Sequence, residues 1–115
     1  SFWIASFSYS CFLVKNSNFQ TLSPPKNSTS SYYKQIILSK FSRKKIQQEL
    51  NSRNISLTGG VYYSPLHRQP TIGIKKDKLF PNSSYFSDNH FCPPCYPELD
   101  LSDIDYICKV LLSIK

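Results

Sequence analysis

The stretch Asp100-Leu101-Ser102-Asp103-Ile104-Asp105-Tyr106-Ile107-Cys108-Lys109-Val110-Leu111-Leu112-Ser113-Ile114 carries the clearest period in the sequence. Ile104, Ile107, Leu111 and Ile114 recur at steps of three, four and three, so they fall on one face of an α-helix, and Cys108 and Leu112 widen that stripe. Asp100 and Asp103 stand as N-cap and N3, where carboxylates satisfy free backbone N–H groups and face the positive helix end. Lys109 and Lys115 suit the opposite end. The spacing predicts a helix over about residues 101–114 that needs an apolar surface to cover.

Working outward, Ser42 is a candidate N-cap for a second helix over Arg43 to about Arg53, with Ile46 and Leu50 at i, i+4 on a narrow apolar face. Asn54 suits the left-handed stop, across which Ile55 packs back. Tyr32-Tyr33-Lys34-Gln35-Ile36-Ile37-Leu38 is aromatic and β-branched, hence strand-like. Phe7-Ser8-Tyr9-Ser10-Cys11-Phe12-Leu13 alternates as a strand does. Pro24-Pro25 marks a linker, because consecutive prolines block helix and sheet alike. The pair Gly59-Gly60 permits a close backbone approach before a short strand at Val61-Tyr62-Tyr63. Ser64 to Ser87, with prolines at 65, 70 and 81, reads mostly as loop. Two helices that share an apolar surface with short strands predict an α+β (α/β) fold, a small antiparallel sheet flanked by helices.

The chain has 115 residues and 13.3 kDa, which fits one small domain and excludes a two-domain enzyme. Hydrophobic residues make up 40% and charged residues 18%, so neither wholesale disorder nor a coiled coil is expected. The net charge of +7 is unevenly spread. Residues 1–78 hold twelve basic and two acidic groups (+10), and residues 79–115 two basic and five acidic (−3). Lys40, Arg43, Lys44 and Lys45 surround a helix start, and Lys75, Lys76 and Lys78 fall in a loop, which reads as solvated surface. No run reaches the roughly 18 apolar residues of a membrane-spanning helix, so no membrane partner is expected. The lack of Met suggests the tail of a longer reading frame.

Cys92-Pro93-Pro94-Cys95, preceded by His90, admits a redox pair or half a zinc site. Tyr96, Pro97 and Glu98 intervene before any helix whose N-terminus could lower a thiol pKa, and Cys11, Cys108, His67 and His90 offer no second paired spacing. Two thiols packed beside prolines in a loop are the alternative. The remaining chemistry lies in Tyr62-Tyr63-Ser64-Pro65-Leu66-His67-Arg68-Gln69-Pro70, where hydroxyls, an imidazole and a guanidinium lie close together. These either line a pocket for a phosphate or hydroxyl-rich ligand, or form a capped loop whose His67 bonds a backbone carbonyl.

Taken in order, Ser30-Ser31-Tyr32-Tyr33, a Lys-rich helix, Ile55-Ser56-Leu57-Thr58-Gly59-Gly60-Val61-Tyr62, Pro65-Leu66-His67-Arg68-Gln69-Pro70, Pro94-Cys95-Tyr96-Pro97-Glu98-Leu99 and Asp103-Ile104-Asp105-Tyr106-Ile107 resemble the C-terminal portion of DegT/StrS-type sugar aminotransferases. Members commonly carry a "PLHxQP" loop, an "LP-x-YPEL" turn and a final "D-x-DYI" helix. The resemblance spans about residues 19–115. Residues 1–18 do not look like the charged helix that precedes this region in the family, and Pro93 replaces a usual leucine.

The resemblance implies the C-terminal small domain of the type I aminotransferase fold. It implies a cytoplasmic pyridoxal-phosphate enzyme, homodimeric with its active site between subunits, that moves an amino group, usually from glutamate, to a nucleotide-linked keto-sugar. The family's large domain supplies the Schiff-base lysine. None of the eleven lysines here sits in a motif resembling it, so this chain alone is expected to bind no pyridoxal phosphate, to contribute no catalytic residue and to be inactive. His67 matches the family's loop histidine near the substrate. Tyr62 stands where many members have histidine, and Tyr63 is a further substrate-binding candidate. The competing expectation is a free-standing basic module that binds anions or nucleic acid, although the charge distribution makes nucleic acid an unlikely partner.

Overall fold

The computed structural model describes residues 8–10, 16–57, 63–73 and 77–115. Three short strands form one antiparallel sheet in the order β1 (Phe19–Thr21), β2 (Ile37–Ser39), β3 (His90–Phe91). Phe19 pairs with Ser39 and Thr21 with Ile37, while Ile37 also pairs with Phe91. Side chains alternate across a sheet, so Phe19, Ile37 and Phe91 share one face. Phe19 meets Phe91 edge-on at 6.2 Å and Phe41 at 6.0 Å.

Helices α1 (Arg43–Asn51) and α3 (Leu101–Leu112) cover that face. In α1 the apolar pair Ile46 and Leu50 is fully buried, and Ser42 caps the helix by accepting a hydrogen bond from the Lys45 N–H. The helix stops slightly earlier than residue 53. Asn54 takes a left-handed φ of 61°, and the Ile55 N–H returns to the Leu50 carbonyl at 3.0 Å with its side chain buried.

The α3 stripe holds for Ile104, Ile107, Cys108, Leu111 and Ile114, all buried. Leu112 instead faces out, and Val110 takes its place. Asp100 occupies the N-cap position, but its carboxylate makes no capping bond; its backbone carbonyl accepts from Asp103 and Ile104.

Other expectations are corrected. Residues 8–10 form a helical turn, not part of a strand over Phe7–Leu13, and the rest of that stretch lies outside the described residues. Tyr9 is fully buried and donates its hydroxyl to the Pro94 carbonyl at 2.9 Å, 85 residues away in the chain. Burial raises the Tyr9 phenol well above its ordinary pKa, with Cys108 and Cys95 reinforcing it. The strand expected at 32–38 is confined to its last two residues and Ser39: Tyr32 adopts φ 54°, which an extended strand cannot accommodate, and the chain bends at Tyr33 and Lys34.

The expected loop at 64–87 contains a helix, α2 (Pro81–Asn89). Pro81 starts this helix instead of breaking it, since the first turn has no use for the N–H that proline lacks. The expected Gly59-Gly60 approach and the strand through Val61 and Tyr62 lie outside the described residues, although Tyr63 and Ser64 form a bend.

Cys92 and Cys108 are buried and Cys95 half-buried, and burial with the nearby Asp105 pushes Cys108 up to about 12. Desolvation also raises Cys95, the opposite of an activated redox thiol. Among the described residues, no three His, Cys, Asp or Glu side chains come together as a metal-binding set.

Candidate functional site

The motif Pro65-Leu66-His67-Arg68 folds as a 3₁₀ turn over Leu66–Arg68, and its side chains rest on α2. Helix α2 carries few apolar residues, and its buried positions are Ser84 and Ser87, three apart on one face. Ser87 Oγ donates to the Tyr63 carbonyl at 2.9 Å, and Ser84 Oγ lies 3.0 Å from His67 Nε2. One turn beyond Ser84, Asp88 receives Arg68. The loop is therefore docked on a helix face of hydroxyl and carboxylate groups.

His67 is buried, only 5% exposed. Its Nε2 lies 2.9 Å from Asp77 Oδ1, and its ring stacks on Phe80 at 4.9 Å between centroids. Arg68 spans two carboxylates: Nε and Nη2 donate to Asp77 at 2.9 and 2.8 Å, and Nη1 and Nη2 to Asp88 at 2.6 and 2.9 Å. Such forked pairs fix geometry as well as charge. The Arg68 guanidinium, then His67, hold the Asp77 carboxyl far below the usual carboxylate range, and Arg68 likewise lowers Asp88.

Tyr63, half-exposed, lies under the Arg43 guanidinium at 4.2 Å. Arg43 is not part of a solvated basic face: its Nε donates to the His90 carbonyl at 3.0 Å, and its Nη2 to the Ser87 carbonyl. It ties the start of α1 to the α2–β3 junction. His90, fully buried and stacked on Phe86, donates Nδ1–H to the Phe86 carbonyl at 2.8 Å. Burial lowers its pKa, and the Arg43 charge acts in the same direction.

The structure therefore brings His67 and Tyr63 onto the same helix, held by different serines, with a cleft of about 220 Å³ between Ser64, Pro65, Leu66, Ser83, Phe86 and Ser87. Tyr62 lies outside the described residues. Sequence reasoning missed Asp77, Ser84 and Asp88, which stand 10, 17 and 20 residues beyond their partners in the site or its clamp.

The described lysines are all exposed or half-buried, and Lys45 lies over Phe41 and donates to the Lys115 carbonyl.

A model of the DegT/DnrJ/EryC1/StrS aminotransferase family matches residues 7–112. Among solved structures, the chain is similar to an aminotransferase TlmJ from Streptoalloteichus hindustanus, with 21% identity and a TM-score of 0.81, covering 96% of this chain and 29% of that one. It is also similar to S. venezuelae DesV in complex with a ketimine intermediate, with 13% identity and a TM-score of 0.85, covering 96% and 30%. Against PseC of Helicobacter pylori, an aminotransferase involved in the biosynthesis of pseudoaminic acid, the identity is 22% and the TM-score 0.72, covering 96% and 31%. At these identities the likeness concerns the fold. The chain thus spans about 30% of the length of these structures. No curated protein matches it.

Proposed function

The chain belongs to the DegT/DnrJ/EryC1/StrS aminotransferase family, and from that premise we propose that it is the C-terminal small domain of a transaminase that moves an amino group, usually from glutamate, to a nucleotide-linked keto-sugar. The observation that carries this reading is the family match over residues 7–112 by a chain whose α+β architecture fills under a third of related structures. In this reading the domain runs over residues 19–115, preceded by a segment 1–18 of which the described residue Tyr9 packs into the core. Pyridoxal phosphate supplies an electron sink for such amino transfer when bound by a large domain. This chain supplies the other wall of the substrate site: His67 and Tyr63, with Tyr62, face the nucleotide sugar from the loop that α2 holds.

The reading carries with it a cytoplasmic homodimer with its active site between subunits, and a chain that is inactive without the large domain. Among the described residues no helix is long and apolar enough to cross a membrane.

The test begins with the DNA upstream of Ser1, read in all three frames for a large domain with its cofactor lysine. The joined product is expected to transfer the amino group of glutamate to a nucleotide-linked keto-sugar, and residues 1–115 alone to transfer none. Transfer by residues 1–115 alone, or none by a joined product that loads pyridoxal phosphate, overturns the proposal. So does tight, steeply salt-dependent binding of nucleic acid by residues 1–115, which would favour the basic module.

A further inference from the structure

With a neutral His67 ring, the polar cluster around it admits one arrangement of protons. Asp77 Oδ1 lies 2.9 Å from His67 Nε2 and also accepts from Arg68 Nε at 2.9 Å, while Oδ2 accepts from Arg68 Nη2 at 2.8 Å. An ionised carboxylate accepts and never donates, and an arginine only donates. A bare Nε2 facing Oδ1 at that distance would set two lone pairs against each other, so Nε2 carries a proton. Ser84 Oγ, 3.0 Å from the same nitrogen, is then left to accept, its own proton turned toward Asp77, whose carboxyl it helps to hold down. The Nε2–H and four of the five Arg68 N–H groups then each meet a carboxylate oxygen.

The consequence falls on the other ring nitrogen. Among the described residues His67 Nδ1 has no hydrogen-bond partner, and no buried side-chain polar atom among them lacks one, so Nδ1 reaches the surface of the loop. We propose that Asp77, clamped to α2 through Arg68 and Asp88, is a positioning residue that fixes His67 as the Nε2–H tautomer and so presents Nδ1 outward as a hydrogen-bond acceptor.

A neutral ring in that state is matched to a donor, such as a hydroxyl or amide N–H, and mismatched to the phosphate oxygens of a nucleotide, which at neutral pH only accept. Resting on the function proposed above, this assigns His67 to the sugar hydroxyls of the nucleotide sugar and leaves the diphosphate to other groups. The tautomer itself does not depend on that function.

The test is nuclear magnetic resonance of ¹⁵N-histidine-labelled chain 1–115, with long-range ¹H–¹⁵N correlations read at mildly alkaline pH. His67 is expected to show a protonated Nε2 and a bare Nδ1. In Asp77→Ala the Ser84 hydroxyl is free to donate to Nε2, and the tautomer ratio is expected to move toward Nδ1–H by about tenfold or more, the scale of one lost charge-assisted bond.

Asp77→Asn preserves side-chain size and is expected to shift the ratio the same way, and it decides the matter if the alanine variant does not fold. Ser84→Ala is expected to leave Nε2–H in place, and Asp77→Glu to restore it. A wild-type ring with Nδ1–H, or a folded Asp77→Asn chain with the wild-type ratio, overturns the assignment. Failure of the joined enzyme to transaminate would overturn the functional reading but would leave these ring signals where they are.

Discussion

Tyr9 provides a stringent test of how the domain is held together, because it joins residues 8–10 to a loop 85 positions away. Its ring is fully buried in the cluster that contains Phe19, Ile37 and Leu111, and its hydroxyl donates to Pro94 at 2.9 Å. Removing only the hydroxyl, in Tyr9→Phe, costs about 1 kcal/mol, the net worth of one such bond when the half-buried Pro94 carbonyl can turn to water. Removing the ring as well, in Tyr9→Ala, adds the ~3–5 kcal/mol of a large aromatic truncation. The alanine variant therefore loses about 4–6 kcal/mol, a large share of the ~6–17 kcal/mol expected for a domain of this size. Urea unfolding followed by circular dichroism reads both. At a slope near ~1.5 kcal/mol per molar, the midpoint falls by about 0.7 M for Tyr9→Phe and by about 3–4 M for Tyr9→Ala, close to complete unfolding in water if the domain lies at the low end of that range. A folded Tyr9→Ala chain within about 0.5 kcal/mol of wild type, too small for any core aromatic, would refute Tyr9 as a core residue.

Three further outcomes follow from named contacts. Ser42→Ala removes the cap on the Lys45 N–H, a long bond at 3.3 Å, and should lower the urea midpoint by the equivalent of about 0.5–1 kcal/mol. His90 has a folded pKa below its ordinary 6.5, so the stability it contributes is present above about 6.5 and lost as pH falls further. The urea midpoint should decline from pH 7 to 5 in the wild type, and less in His90→Gln, which starts lower because its stack and bond are gone. Asp77 and Asp88 have folded pKa values below 3.8, so their contribution is present above that value and lost on acidification below it. Thermal melts of Arg68→Gln should show a flatter decline on that acid side than wild type.

The sequence made α3 and α1 legible because each carries a local signal: a repeated apolar face in one, and Ser42 with the Ile46–Leu50 pair in the other. The sheet was harder to read. Its strands are two or three residues long, too short for an alternation to show, and Phe19-Gln20-Thr21 has no pattern of its own. Tyr32 and Tyr33 carry strand-like residue types, yet the left-handed φ of Tyr32 is set by the fold around it and not by its propensity. Burial of Tyr9 rests on long-range partners, which no local window contains.

The candidate site divides in the same way. His67 and Tyr63 stood out because polar and aromatic groups crowd one short motif, but the groups that orient them come from a helix with no apolar stripe. Helix α2 buries hydroxyls, so a search for hydrophobic period passes over it, and Pro81 looks like a breaker unless a helix is already suspected to begin there. One clue was present: Asp77 is the only acidic residue between Glu49 and Asp88, and it sits among Lys75, Lys76 and Lys78. An isolated carboxylate in a basic run could simply be solvated there. In the fold it meets Arg68 and His67, and the forked guanidinium offers two aligned bonds where a lysine offers a point charge. The same preference explains why Arg68, and not a lysine, carries the link to Asp88: a planar fork can serve two carboxylates at once and hold the histidine between the loop and α2 in a single orientation.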